Sequence, residues 1–296
     1  PLGLALKRKI MQIWWDYWVE KRDDMFGVDA AIIMNPKTWV ASGHTATFSD
    51  PLVECKECHN RFRADKLSEN IPADITSNGL VKLGIKCPNC GKIAWDEVKQ
   101  FNMMFQTHVG ATANADDVAY LRPETAQGIF TNYKNIVDSI YPDLPFGIAQ
   151  QGKAFRNEIS PRDFVFRSRE FEQMEIEYFV HPNQWEEIFD QLLADCHDFL
   201  ENQMGLSPES LHELDVPAAD RAHYSKRTID IEFDYPIGRE ELMGLAYRTD
   251  FDLSNIVRAS NKNLEYRDKH TGESFIPHVI EPSFGVERLL MAVLTT

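Results

Sequence analysis

Phe155-Arg156-Asn157-Glu158, a loop over residues 159–165 holding Pro161, Arg162 and Asp163, and then Phe166-Arg167-Ser168-Arg169-Glu170-Phe171-Glu172-Gln173-Met174-Glu175 form the stretch on which the fold turns. As two antiparallel strands and a loop, its side chains alternate with period 2. Arg156 and Glu158 then share a face of the first strand, and Arg167, Arg169, Phe171, Gln173 and Glu175 share a face of the second. A face with three arginines, a ring and carboxylates cannot be a core face unless a polyanion covers it, because burying unpaired charge costs several kcal/mol. Guanidinium forks suit phosphate oxygens, and a ring facing a guanidinium suits a flat purine. Phe171 and Glu175 lie ~13 Å apart along a strand, the length of an adenosine phosphate carrying a small acyl group. A solvated, salt-bridged hairpin fits the same residues, and this pattern alone leaves both readings open.

Outward from this hairpin, the spacing predicts an amphipathic helix over 4–21, with Leu6, Ile10, Ile13, Trp14, Tyr17 and Trp18 on one side. The apolar run 30–34, stopped by Asn35-Pro36, reads as a buried strand entering a turn or an interface. A helix is expected near 125–139, strands between 147 and 179, a long helix over 184–204, and a strand over 228–235 that alternates Ile229, Ile231 and Phe233 with acids. A last strand at 276–281 runs into Pro282-Ser283-Phe284-Gly285 and a helix over 286–294. Hairpins and long excursions between strands point to an α+β antiparallel sheet rather than a doubly wound one.

Four of the five cysteines fall as Cys55-x-x-Cys58 and Cys87-x-x-Cys90, the arithmetic of a zinc ribbon within an insertion over 52–98. A closed four-sulfur set leaves no open position for catalysis, so the metal would be structural. Two disulfides are the alternative. Cys196 sits on the apolar stripe of the helix over 184–204 and reads as a small core hydrophobe. Gly147 to Lys153 matches the phosphate-loop spacing G-x-x-x-x-G-K, but Ala154 offers no hydroxyl to magnesium and the chain runs on as strand. The nine histidines form no nucleophile relay and no H-E-x-x-H.

The 296 residues are 43% hydrophobic, 26% charged and 11% aromatic, which excludes disordered and low-complexity classes. Thirty-one basic against 46 acidic residues leave a net charge of −15, which argues against non-specific adhesion to nucleic acid or membrane. No apolar run approaches the ~20 residues of a membrane span. A cytoplasmic protein is expected.

Arg156-x-Glu158, loop, Arg167-x-x-x-Phe171 resembles motif 2 of the class II aminoacyl-tRNA synthetases. Val28 to Pro36 resembles motif 1, whose proline lies at a dimer interface, and Gly285-Val286-Glu287-Arg288-Leu289-Leu290 resembles motif 3. Within the class, Leu121 to Gly128, Arg169 to Glu175, Arg248 to Leu253 and Glu281 to Gly285 are similar to the dimeric glycyl-tRNA synthetases. The similarity spans almost the whole chain. It implies the class II antiparallel sheet flanked by helices, interrupted by a zinc-ribbon-like insertion. Residues 1–51 would carry motif 1, 52–98 the insertion, and 99–296 motifs 2 and 3.

The implied activity is ATP-dependent activation of glycine to glycyl-adenylate and transfer to tRNA(Gly) by a homodimer joined through motif 1, with ATP and Mg²⁺ as substrate complex and a structural Zn²⁺. Arg156, Arg288 and Glu158 would be catalytic. ATP would be held by Arg156, Asn157, Glu158, Phe166, Arg167, Ser168, Arg169, Glu170, Phe171, Glu241, Leu242, Gly285, Val286, Glu287 and Arg288. Glycine would be held by Arg63, Glu124, Phe171, Glu172, Gln173, Met174, Glu175, Glu281, Pro282, Ser283, Phe284 and Gly285. Glu241 and Glu281 would approach magnesium, while Cys55, Cys58, Cys87 and Cys90 would hold zinc. A structural salt bridge to Arg122 or Arg156 is the bland reading of Glu124 and Glu175. The start at Pro1-Leu2-Gly3 and the stop at Thr296 are expected to mark a catalytic core lacking the family's C-terminal anticodon-binding domain.

Three other readings are discriminated by residues. Another class II synthetase, for threonine, proline, serine or histidine, shares motifs 2 and 3, but Glu124 and Glu175 around a tiny pocket favour glycine. A binding-only, dimerising or accessory subunit would be expected to lose motif arginines, whereas Arg156, Arg167 and Arg288 are present. A zinc-ribbon nucleic-acid module accounts for Cys55 to Cys90 and nothing else.

Overall fold

The computed structural model describes residues 2–68, 71, 72, 74–110 and 117–296. Pro1, residues 69, 70 and 73 of the 52–98 segment, and 111–116 of the 99–296 segment lie outside the described residues. The centre is a seven-stranded sheet of β1 (Met25–Gly27), β2 (Phe146–Phe155), β3 (Glu170–Val180), β4 (Leu211–Asp215), β5 (Arg227–Tyr235), β6 (Gly238–Thr249) and β7 (His278–Gly285), in the spatial order β1-β2-β3-β7-β6-β5-β4. Only β1 and β2 pair in parallel; every other neighbour is antiparallel. The expected α+β antiparallel architecture is present.

Period-2 alternation gives the sheet two unlike faces. Met174, Ile176, Tyr178 and Val180 of β3, Ile229, Ile231 and Phe233 of β5, and Ile280 and Phe284 of β7 point to the back, all buried. There they meet α1 (Leu2–Trp15), whose Ile10 and Trp14, with Trp18 beyond its end, are buried, and the helix Trp185–Asp198, whose Phe189, Leu192 and Cys196 are buried. Burial raises the Cys196 thiol pKa well above its ordinary value, which suits a packing role. The front face is half apolar and half polar. Ile148, Phe179 and Val279 pack beneath the helices Ala126–Ile140 and Phe251–Ser260, while Gln173, Glu175, Glu281 and Ser283 line a cleft.

Several expectations need revision. β3 starts at Glu170 and β2 ends at Phe155, so Arg156, Glu158, Arg167 and Arg169 lie in the connection rather than on strand faces. The main-chain bond from Arg156 N to Arg169 O at 2.9 Å continues the ladder, and the Arg169 side chain donates from Nε to Glu158 O at 3.1 Å. Of the run 30–34 only Ile33–Met34 pairs as strand, and Ile32 and Ile33 are 36% and 48% exposed rather than buried. The last strand reaches Gly285, with Pro282 inside it; its ladder to β3 pairs 278–280 and 283–285 but skips Glu281 and Pro282, where the missing N–H would fall. The apparent phosphate loop at Gly147–Lys153 is interior strand of β2.

A separate three-stranded sheet of Ser49–Glu54, Arg61–Arg63 and Lys99–Asn102 carries the cysteines, with a small core of Val53, Ala64, Leu80 and Trp95. Its strands reach beyond both ends of 52–98. Among the described residues no helix is long and apolar enough to cross a membrane.

Candidate active site

The cleft, about 430 Å³, lies on the front face over β3, β7, β6 and β5. The zigzag of those strands sends small side chains into its floor, Gly244 and Ala246 from β6 and Ser283 from β7, leaving room above the sheet. Its walls come from the connection between β2 and β3, the segment 216–224, and Glu124 before the helix Ala126–Ile140.

One end is basic. The Arg156 guanidinium stacks 5.3 Å from the Phe171 ring centroid and 5.6 Å from that of Phe48, and its Nε donates to Pro123 O at 3.1 Å. Arg167 Nη1 lies 3.6 Å from Glu158 Oε2. Arg288 Nη1 donates to the Glu241 carbonyl and lies 3.0 Å from its carboxylate, and the Arg288 guanidinium lies 4.6 Å from the Phe166 ring. Each arginine is oriented by an acid or a ring and lines the cleft, the arrangement that receives a phosphate chain without reorganisation. Burial, with Glu241 and Glu232 adding repulsion, pushes Asp230 beside them up to about 7.

The other end is acidic and closed. Glu175 accepts four donors: Thr125 N at 2.8 Å, the Thr125 hydroxyl, Gln173 Nε2 at 2.9 Å and Ser283 Oγ at 2.8 Å. Burial and the neighbouring Glu124 nonetheless hold its pKa above the ordinary value. Burial also disfavours charge on Glu124, but His44, whose Nε2 lies 3.5 Å away, together with Arg248 and Arg156, outweighs it and holds that carboxyl below its ordinary value. Glu281 takes Arg248 Nη1 at 2.7 Å; burial, Glu175 and Glu124 push it up to about 8 against the pull of Arg248. Asp252 receives the other edge of the same guanidinium at 2.8 Å twice.

The structure therefore brings together Arg63, Glu124, Arg156, Glu158, Phe166, Arg167, Ser168, Phe171, Gln173, Glu175, Glu241, Leu242, Glu281, Ser283, Gly285, Glu287 and Arg288. Asn157, Arg169, Glu170, Glu172, Met174, Pro282, Phe284 and Val286 do not line the cleft. Met174 and Phe284 are core residues of the back face by strand parity, Pro282 shares that parity, and Val286 is a buried residue at the start of the helix Val286–Thr295. Glu172 pairs with Lys7 of α1, Glu170 with Lys153, and Arg169 with the Glu158 carbonyl. Glu241 and Glu281 cannot share one ion, because Glu281 pairs across β6 with Ala246, five residues or ~17 Å from Glu241. Sequence reading assigned no role to Arg248, Asp252, His44 or Tyr224. The signal available was the buried-looking Arg248-x-x-x-Asp252 spacing, which closes a salt bridge four residues apart.

In the small sheet the four sulfurs of Cys55, Cys58, Cys87 and Cys90 lie within 4.8 Å of one another, with Cys55–Cys90 and Cys58–Cys87 at 3.6 Å. A tetrahedron with Zn–S bonds of ~2.3 Å has sulfurs ~3.8 Å apart, whereas a disulfide needs ~2.05 Å. None of the cysteines is in a disulfide. These four residues could hold a metal ion.

An antiparallel sheet with an arginine-lined cleft, a strand-then-helix arginine and a stacked ring defines the core of a class II aminoacyl-tRNA synthetase. The chain belongs to that family: residues 105–296 match the model of the tRNA synthetase class II core domain (G, H, P, S and T). It is 49% identical over 305 residues to the glycine–tRNA ligase of Ureaplasma urealyticum serovar 10, covering all of this chain and 64% of that relative. It is 45% identical to the glycine–tRNA ligase of Caldanaerobacter subterraneus (99% and 66% covered) and 44% identical to that of Bacillus cereus (99% and 67%). The chain thus spans about two thirds of the length of these relatives. Among solved structures, Giardia lamblia prolyl-tRNA synthetase in complex with prolyl-adenylate superposes with a TM-score of 0.66 at 14% identity, covering 99% of this chain and 46% of that one, a likeness of fold.

Proposed function

We propose that this cleft activates glycine with ATP, and that within the full-length protein the glycyl group passes to tRNA(Gly). The observation that carries the reading is the charge reversal along the cleft, from Arg156, Arg167 and Arg288 at one end to Glu124, Glu175 and Glu281 at the other. A ligand pair joining a triphosphate to a small ammonium fits that order. Adenine would stack on Phe171 opposite Arg156, and the glycine ammonium would lie against Glu124 and Glu175 with Ser283 below. Crowding there rejects larger side chains.

In the step proposed, a glycine carboxylate oxygen attacks the α-phosphorus in line, a P–O bond forms, the bond to the β-phosphate oxygen breaks, and pyrophosphate leaves with the electron pair. The carboxylate is already a nucleophile, so no general base is needed. Arg156 spans the two reactants and stabilises the charge that develops on the α-phosphate; Arg167 and Arg288 hold the departing phosphates. Magnesium, when bound, would neutralise phosphate charge, with Glu241 as its carboxylate ligand. Zinc on Cys55, Cys58, Cys87 and Cys90 would tie the two turns of the small sheet together, making residues 49–102 an inserted module of the catalytic domain. Exposed Ile32 and Ile33, with Val40 in the helix that follows, support motif 1 as a homodimer surface. A translation enzyme with a thiolate metal site fits a cytoplasmic setting.

The test is amino-acid-dependent exchange of labelled pyrophosphate into ATP, with glycine, alanine, serine, threonine and proline, and R156A as the blank. Exchange with glycine alone is expected. Exchange with another amino acid, or none in the folded protein, would remove the reading.

A further inference from the structure

Glu177 lies beneath the acid end of the cleft, and the proposed chemistry gives it no role. It is fully buried, and neither carboxyl oxygen has a hydrogen-bond partner among the described residues. Parity places it on the front face of β3, two residues behind Glu175. The register pairs Ile280–Tyr178 and Ser283–Glu175 flank it and set it directly across from Glu281, at the interruption of the ladder beside Pro282. On its other side stands Ile148 of β2. Two glutamates thus face each other across the two central strands, where like charges repel.

The charged groups around it decide which of the two ionises. From β7 comes Glu281, from β6 Arg248, from the helix Phe251–Ser260 Asp252, and from β3 itself Glu175. The hydrogen bonds of Arg248 go to Asp252 and Glu281. Glu175 has four donors and Glu177 none. A buried carboxylate with no donor, facing three other acids and an arginine whose hydrogen bonds go elsewhere, is held in its neutral form. Next along the strand face come Phe179 and Val279, where an apolar side chain would pack at lower cost than an acid. Space filling alone gives no reason for the acid.

We propose that Glu177 is a neutral carboxylic acid that positions Glu281, offering it an O–H through one bridging water, and so leaves Glu281 as the member of the pair that ionises against the substrate ammonium. The role rests on the glycine reading above; the protonation state does not. Burial, followed by Glu281, raises the Glu177 pKa well above its ordinary value, in agreement with the geometry. Glu177 is a positioning residue: it affects the affinity of the acid end, not the attack on phosphorus.

Two measurements on the full chain test this. In infrared difference spectra at neutral pH, wild type minus E177Q is expected to show the carbonyl stretch of a protonated carboxyl; a carboxylate band instead overturns the proposal. In pyrophosphate exchange, E177Q, which keeps a donor, should hold the glycine KM within about threefold of wild type. E177M, which has no donor, should raise the glycine KM about tenfold or more while kcat and the ATP KM stay within about threefold. A tenfold rise in E177Q would mean that an ionised Glu177 binds the ammonium, and an unchanged KM in E177M would leave it only filling space; either result overturns the positioning role. If wild type exchanges with no amino acid while the protonated band is present, the glycine reading falls and the positioning role with it, but the neutral acid stands.

Discussion

The Arg248 guanidinium is held between Asp252, which it meets with Nε and Nη2 at 2.8 Å each, and Glu281, which Nη1 meets at 2.7 Å, while the Tyr224 ring covers it at 3.7 Å. With 1% of its side chain exposed, it is the cation that lets several acids stay folded at the closed end of the cleft.

Replacing Arg248 with Met therefore removes the partner of two buried carboxyls. Breaking a buried ion pair by deleting one member costs about 3–5 kcal/mol. R248M is expected to lower the urea-unfolding free energy by that amount, and R248K, which keeps the charge but not the fork, by less. An unfolding curve unchanged in R248M would show that Asp252 and Glu281 are neutral without it.

Arg156 acts at the other end and through the reaction rather than the fold. Its guanidinium is stacked between Phe171 and Phe48 and makes one backbone bond, to Pro123 O. R156A should lose about 10²-fold to 10³-fold in exchange rate, the usual cost of a transition-state contact, while its unfolding midpoint moves little. F171A should instead raise the ATP KM, because a stacking surface is lost and no charge is.

Much of this site is visible in the order of residues. Phe171 and Glu175 follow from strand parity, because a sheet face repeats every second residue, while Arg156 in the connection, Ser283 and the helical Arg288 are reached through the class II resemblance. The same parity shows why contiguous strings overreach: Glu172, Met174, Pro282 and Phe284 belong to the strings but to the back of the sheet. β6 is not legible in the residue order, since its front-facing Gly244 and Ala246 give no apolar contrast to mark alternation; they are small because the cleft lies over them. The pairing of Glu177 with Glu281 depends on the register of strands about one hundred residues apart, which no local pattern carries.

The cysteine cluster predicts a local response to metal removal. The small sheet has its own core and its own strand ladder, so chelation by a strong zinc ligand should release about one zinc per chain. It should also raise amide hydrogen exchange across Ser49–Glu54 and Arg61–Arg63, leaving β3 and β7 protected. Exchange that rises equally in both sheets would show that the module and the main sheet unfold as one unit.

The acid end also fixes how stability changes with pH. Glu175 and Glu177 have pKa values raised above the ordinary 4.5 in the folded chain, and Glu281 is raised to about 8. Between about pH 4.5 and 8 these three acids therefore bind more protons in the folded state than in the unfolded one, and their contribution to stability falls as pH rises through that window. Gln at position 177 carries no proton to lose. E177Q should match wild type in urea midpoint near pH 4, where Glu177 is protonated in both states, and exceed it by a growing margin toward pH 8. A midpoint difference that is constant with pH would mean that Glu177 titrates alike in the folded and unfolded chains.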